Sequence, residues 1–334
     1  MRAWMVARPG PLDTRPLRFV ERVPPAPGPR EVAVGIDVCA VCRTDLHLVE
    51  GDLAPRRPGV VPGHQAVGLV EELGEGVERF SVGERVGIAW LRWSCGRCTY
   101  CARGDENLCT EPRFTGWDDD GGFAERAVVH EDYAYPLPDA IDDEHIAPLL
   151  CAGIIGFRAL RRSRLQPGGR LGIYGFGASA HIAAQVAIFE GAAVHVVTRS
   201  RRAQKLARAL GAASAGAAGE SPPEPLDAAI VFAPSGEVVP LALKSLRAGG
   251  TVAVAGIHMS DIPALRYDEH LFHERSLTSV TANTRADGRE LLDIAGRIPV
   301  QVTTTPFELS EADAALGALE AGGVEGAAVL RIAR

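Results

Sequence analysis

Residues 170–180 read Arg170-Leu171-Gly172-Ile173-Tyr174-Gly175-Phe176-Gly177-Ala178-Ser179-Ala180, and this stretch decides half of the fold. The short apolar run before Gly175 has the pattern of a buried strand, and residues 178–189 then carry helical spacing. Between them Gly175, Gly177 and Ala180 fit G-x-G-x-x-A. The first glycine permits a tight turn, the second lets the backbone approach a pyrophosphate, and the small third residue lets helix pack on strand. Ala178 opens the helix, whose free N–H groups and dipole suit an anion. A glycine-rich turn without a ligand is the plain alternative. The strand-turn-helix context favours a dinucleotide site.

The pattern continues outward. Strands are expected at 170–175, 193–198, 227–232 and 251–255, and helices at 178–189, 202–210 and 238–246. Such alternation implies a parallel sheet with right-handed crossovers. Residues 211–225, rich in Ala, Gly, Ser and Pro, are expected to form a loop. At the end of the second strand an NAD site of this kind carries Asp or Glu for the ribose diol. Here the chain reads Val197-Thr198-Arg199-Ser200-Arg201-Arg202. Thr198, Arg199 and Ser200 offer hydroxyls and a guanidinium, which suit a 2′-phosphate. NADP(H) is therefore expected ahead of NAD(H), with a solvated basic helix start as the alternative use of these residues.

The first half of the chain has another style. Short β-rich runs at 31–38, 66–73, 85–89 and 123–129 are separated by turn signals such as Pro62-Gly63 and Asp120-Gly121-Gly122. They predict an all-β unit of the barrel type, and a further strand is expected at 327–332.

Seven cysteines sort into groups. Cys95, Cys98, Cys101 and Cys109 fall within fifteen residues as C-x2-C-x2-C-x7-C. Four thiolates close the tetrahedron of a zinc ion and leave no position for chemistry, so a structural site is expected; an iron-sulfur cluster has compatible spacing. Cys42, His64 and Cys151 are dispersed. Two thiolates and an imidazole would leave a fourth zinc position open, as catalysis requires. Taken singly, each has a bland reading: a small buried thiol, or a hydrogen-bonded turn histidine. Nothing near Cys39 suggests a ligand.

Composition sets outer bounds. In 334 residues, 46% of them hydrophobic, two domains can each bury a core. A formal net charge of -7 argues against general nucleic-acid binding. The first eleven residues lack the apolar core of a secretion signal, and no apolar run reaches the length of a membrane span, so neither membrane nor nucleic acid is an expected partner and a cytoplasmic location is the default.

With these pieces in place, the chain resembles the zinc-containing medium-chain alcohol dehydrogenases nearly end to end. It is similar within them to bacterial members related to the cinnamyl alcohol dehydrogenases, through Cys42-Arg43-Thr44-Asp45-Leu46-His47 and Gly116-Trp117-Asp118. The resemblance implies an α/β chain: a GroES-like β-barrel catalytic domain over 1–152, a doubly wound Rossmann coenzyme domain over 153–281, and a return to the catalytic domain over 282–334. It implies two zinc ions, the catalytic one on Cys42, His64 and Cys151 and the structural one on Cys95, Cys98, Cys101 and Cys109. By the same resemblance Thr44 passes on the substrate proton, His47 ends that relay through the nicotinamide ribose, and Asp45 orients His64. Arg43 matches a pyrophosphate-binding base, and Leu53, Trp90 and Trp117 match substrate-pocket positions, with ordinary core packing as their alternative.

Two departures stand out. Gln65 follows the zinc histidine where the family usually has Glu, and Glu325-Gly326-Ala327-Ala328-Val329 lacks an arginine that many relatives direct at the pyrophosphate. The implied function is an NADP(H)-linked alcohol dehydrogenase or aldehyde reductase acting on a primary alcohol or aldehyde, aromatic or aliphatic. A polyol or secondary-alcohol dehydrogenase using NAD(H) is the near alternative. A non-enzymatic zinc and dinucleotide-binding sensor is the remote one, which would not need Thr44 and His47. Relatives assemble by sheet extension, so a homodimer or homotetramer is expected.

Overall fold

The eleven-residue strand Glu31–Val41 organises the first of two units. It is a run of β-branched and small apolar residues, almost all buried. One edge pairs antiparallel with Ala66–Leu73. The other is shared in succession by Arg126–His130, opposite Glu31 to Gly35, and Ala327–Arg331, opposite Val38 to Val41. Register shifts at Ala33/Val34 and Ile36/Val38 bend the strand. That bend is what lets a seven-stranded sheet curl into a barrel. The remaining order runs outward through Arg85–Ile88 to Ala134–Pro136 on one side and to Thr304–Glu308 on the other. Thr304–Glu308 and Ala327–Arg331 are parallel, and the helix Ala312–Glu320 supplies the crossover such a pair needs.

In this computed structural model the described residues are 1–217, 219–256 and 259–332. The chain divides into Met1–Cys151 with Ala282–Arg334, and Ala152–Thr281. The first unit carries helices as well as strands, among them Arg43–Glu50 and Arg285–Ala295, so the purely β expectation is corrected. The strand expected at 123–129 is Arg126–His130; Phe123 and Ala124 instead face the N-terminal hairpin, where Ala124 bridges Ala3.

The second unit holds a six-stranded, wholly parallel sheet. Its order is Ser214–Gly216, Ala193–Val197, Arg170–Tyr174, Leu226–Val231, Leu246–Val254 and Ser276–Ser279. In sequence rank this is 3-2-1-4-5-6, the doubly wound dinucleotide order, with its switch point between Arg170–Tyr174 and Leu226–Val231. Two expectations are corrected here. Within 211–225, Ser214–Gly216 forms a short edge strand; small, weakly β-forming residues hide it from sequence pattern, and its partner Ala193–Val197 holds it. Ala218 of the same segment lies outside the described residues. The helix expected to reach 246 ends at Lys244, because Leu246 already begins the fifth strand. No helix of the described residues is long and apolar enough to cross a membrane.

Candidate active site and metal centres

Cys42 directly follows the bulged central strand and caps the helix Arg43–Glu50. Its Sγ accepts from Thr44 N–H at 3.3 Å, while Cys42 N–H donates to Asp45 Oδ2 at 3.0 Å. The capping box thus aims a sulfur along the helix start. The other oxygen of the same carboxylate does separate work: Asp45 Oδ1 accepts from Gly63 N–H and from His64 Nδ1, each at 3.0 Å. That bond leaves Nε2 to face Cys42 Sγ at 3.3 Å. Gly63 adopts φ +97°, and a Cβ there would fall 2.5 Å from Phe123 Cδ1, so only glycine permits the turn that delivers His64. Cys151 follows the fully buried 3-10 turn Ala147–Leu150.

The ligand atoms of Cys42, His64 and Cys151 lie within 4.8 Å of one another. A tetrahedral zinc ion with bonds of 2.0–2.3 Å has edges of about 3.5–3.8 Å, so the trio fits three corners and leaves the fourth open. The electrostatics agree with a thiolate site. A hydrogen bond from the Cys151 thiol, acting against burial and helped by His64, holds the Cys42 thiol well below its ordinary value. The same bond, with burial, pushes Cys151 up.

The second cysteine group is built locally. Cys98 caps the short helix Thr99–Ala102. Sulfur contacts of 3.9 Å for Cys95–Cys101 and 3.5 Å for Cys98–Cys101 match tetrahedral edges. Backbone N–H groups of Cys95, Cys98, Cys101 and Glu111 point at sulfurs from 3.3 to 3.5 Å. The Cys101 N–H is the first cause that brings the Cys98 thiol down to about 6, whereas burial pushes Cys101 up to about 11. Four sulfurs with that N–H cradle suit a closed, anionic site.

Around the open trio stands an aromatic wall. Trp90 and His64 meet in a T-shaped pair with centroids 5.0 Å apart at 74°. Trp90, Phe114 and Trp117 form a triangle of nearly parallel rings with centroid separations of 4.9, 5.9 and 5.7 Å. Phe114 escaped the sequence reading; its signal was only the aromatic spacing before Gly116. Leu53 is half-buried, and its N–H donates to His47 O at 3.0 Å. Thr44 and His47 stand three residues apart on one helix face, and His47 Nδ1 lies 3.0 Å from Asp52 Oδ2, a partner not foreseen. Arg43 is exposed at the first helical position. Gln65 is buried, with a long 3.5 Å contact from its amide to Ala40 O.

In the second unit, Gly175 sits at φ +86° beside the switch point, and a Cβ would lie 2.8 Å from Ala233 N. Gly177 caps the helix Ala178–Phe189, with open space where its side chain would be. Ala180 is fully buried. Thr198 is buried, and its N–H donates to Gly216 O at 3.0 Å. Ser200 Oγ caps the next helix by accepting from Ala203 N–H at 3.2 Å. Arg199 is exposed between them.

Comparison with known proteins yields matches to both units. The alcohol dehydrogenase GroES-like domain family matches residues 28–139, and the zinc-binding dehydrogenase family matches 178–297. A Mycobacterium tuberculosis (strain CDC 1551 / Oshkosh) protein described as "Probable alcohol dehydrogenase AdhA" is 56% identical over 99% of this chain and 97% of its own. An alcohol dehydrogenase of Geobacillus stearothermophilus is 38% identical over 90% of this chain and 91% of its own. Among solved structures, a cinnamyl alcohol dehydrogenase from Sorghum bicolor superposes with a TM-score of 0.87 at 27% identity, covering 99% of this chain and 97% of that one. The barrel with its open trio, the 3-2-1-4-5-6 sheet and these relatives agree: the chain belongs to the zinc-containing medium-chain alcohol dehydrogenases.

Proposed function

We propose that the chain is an NADP(H)-preferring alcohol dehydrogenase or aldehyde reductase for primary alcohols, with catalytic zinc held by Cys42, His64 and Cys151. The observation that carries this reading is the convergence of those three ligand atoms within 4.8 Å, with Asp45 locking the imidazole tautomer. Bound there, zinc supplies Lewis-acid polarisation of the alcohol or carbonyl oxygen. Cys95, Cys98, Cys101 and Cys109 would hold a second, structural ion. The Gly175–Ala180 turn would take the dinucleotide pyrophosphate.

The chain's own residues manage the proton. The Thr44 hydroxyl, two residues from Cys42, accepts the proton of the substrate alcohol as it gives up its own. His47, one helical turn on and paired with Asp52, delivers it to solvent; in the reductive direction the order reverses. Trp90 and Trp117, with Leu53, wall the substrate side with apolar surface. Ser276–Ser279 ends the parallel sheet, an edge that suits assembly into a homodimer or homotetramer.

The cofactor preference rests on Arg199, which is exposed and has no ion pair among the described residues. A hydrogen bond to a charged group contributes about 1.5–3 kcal/mol, so Arg199→Ala should weaken NADP about ten- to a hundred-fold. NAD, without the phosphate, should be little changed. The test is kcat/KM for both cofactors in parent and variant, with benzyl alcohol, propanol and sorbitol as substrates. A parent that prefers NAD, or an equal loss for both cofactors, sinks the phosphate reading. A sorbitol preference moves the enzyme to the polyol group.

A further inference from the structure

Three aspartates follow Trp117, and each is gripped by arginine. Asp118 Oδ1 accepts from Arg56 Nη1 at 2.8 Å, and its Oδ2 accepts from Phe114 N–H at 2.8 Å. Asp119 meets Arg92 Nε at 3.0 Å and also pairs with Arg113. Asp120 accepts from Val61 N–H at 2.8 Å and pairs with Arg57. This segment is therefore pinned from several directions at the base of Trp117. The indole itself is half-buried; beyond its stacking on Trp90 and Phe114 it is held by a single short stretch. Its Nε1 donates to Ala54 O at 2.8 Å, and the Arg56 guanidinium lies 3.8 Å from its ring centroid. The other close rings are Trp90 and Phe114.

We propose that Arg56 is a positioning residue that selects substrate: anchored by Asp118, its planar cation holds Trp117 in register with Trp90. The wall beside His64 then stays continuous and favours an aromatic or bulky apolar alcohol over a short one. The proposal rests on the reading of Trp90 and Trp117 as substrate-facing. The chemistry is specific to arginine, since a guanidinium can stack on the indole face and still donate to Asp118, whereas an ammonium is a point charge without a face. Without it, the half-exposed indole keeps one hydrogen bond and gains rotational freedom, and an aromatic substrate loses a fixed surface.

The test measures kcat and KM for benzyl alcohol and for ethanol in the parent, Arg56→Gln, Arg56→Lys, Trp117→Ala and the Arg56→Gln/Trp117→Ala double variant. Arg56→Gln should lower the benzyl-to-ethanol ratio of kcat/KM about three- to ten-fold, through KM rather than kcat. Arg56→Lys should recover part of the ratio. In the Trp117→Ala background Arg56→Gln should add nothing. Fluorine NMR of protein labelled with 5-fluorotryptophan gives an independent reading of the four tryptophans. The Trp117 resonance, identified by its loss in Trp117→Phe, should shift or broaden in Arg56→Gln. If Trp117→Ala changes the ratio and Arg56→Gln does not, the Arg56 proposal falls and the wall stands. An Arg56→Gln effect that persists undiminished without Trp117 overturns it too. If Trp117→Ala leaves the ratio untouched, the substrate-facing wall falls and takes the proposal with it.

Discussion

The two cysteine groups use the same chemistry at opposite extremes of chain organisation. Cys95, Cys98, Cys101 and Cys109 lie on one loop, and much of their geometry is local: a short helix capped by Cys98 and backbone N–H groups aimed at sulfurs. Cys42, His64 and Cys151 come from a strand end, a glycine turn and a 3-10 turn. They meet only because the Glu31–Val41 strand pairs with Ala66–Leu73 and because Asp45 ties helix cap and histidine together. A closed set of four would serve folding, and an open set of three would serve chemistry. The difference lies in the number of ligands and in what surrounds them. Beside the trio stands an aromatic wall, whereas the four-cysteine loop is anchored by an ion pair. Glu106, within that loop and buried, accepts from Arg285 N–H at 2.6 Å and from its Nη2 at 2.6 Å. Tyr133 lies under the same guanidinium, 4.6 Å away, and its hydroxyl receives Ser94 N–H at 2.9 Å, next to Cys95.

The sharpest way to break this contrast is to remove one ligand from each group. Cys42→Ser should lower turnover by at least about a thousand-fold, since Lewis-acid stabilisation amounts to several kcal/mol, while melting temperature stays near that of the parent. Cys98→Ser should do the reverse, costing about 3–5 kcal/mol of stability because a closed metal site contributes directly to folding. Metal analysis should find two zinc ions in the parent and fewer in each variant. Near-normal turnover in Cys42→Ser, or a single ion in the fresh parent, would show that the contrast is misassigned.

A smaller effect should follow from Asp45→Asn. The imidazole loses its charged acceptor, and zinc affinity at the trio should fall about ten- to a hundred-fold. Competition with a chelator, following release of one ion while the other stays bound, measures it; an unchanged release rate would remove Asp45 from the orienting role. The smallest effect is expected at the loop anchor. Glu106→Gln keeps shape but removes the charge opposite a partly exposed arginine, so a loss of about 1–2 kcal/mol is expected, with kcat retained. Denaturant unfolding of Glu106→Gln, Arg285→Gln and the double variant should show the two losses to be non-additive. Strict additivity would mean that the pair does not anchor the loop.

The sequence alone determined those features whose physics is local. The Gly175–Ala180 turn, the strand-helix alternation around it and the C-x2-C-x2-C-x7-C loop are set by backbone freedom, hydrophobic period and ligand spacing within a few residues. For the dispersed trio, the residues taken singly favoured a bland reading, and only the family resemblance put Cys42, His64 and Cys151 together. The tertiary structure decided what depends on distant partners. It brought His64 to the Asp45 carboxylate that also caps the helix, gathered Phe114 and Trp117 with Trp90, and laid Arg56 over Trp117. It also made a strand of Ser214–Gly216, whose residues have little β preference but whose neighbour Ala193–Val197 offers an open row of N–H and C=O groups. Pairing and side-chain contact between segments tens of residues apart leave no period in the sequence, because each end satisfies its own local rules whether or not the other is present.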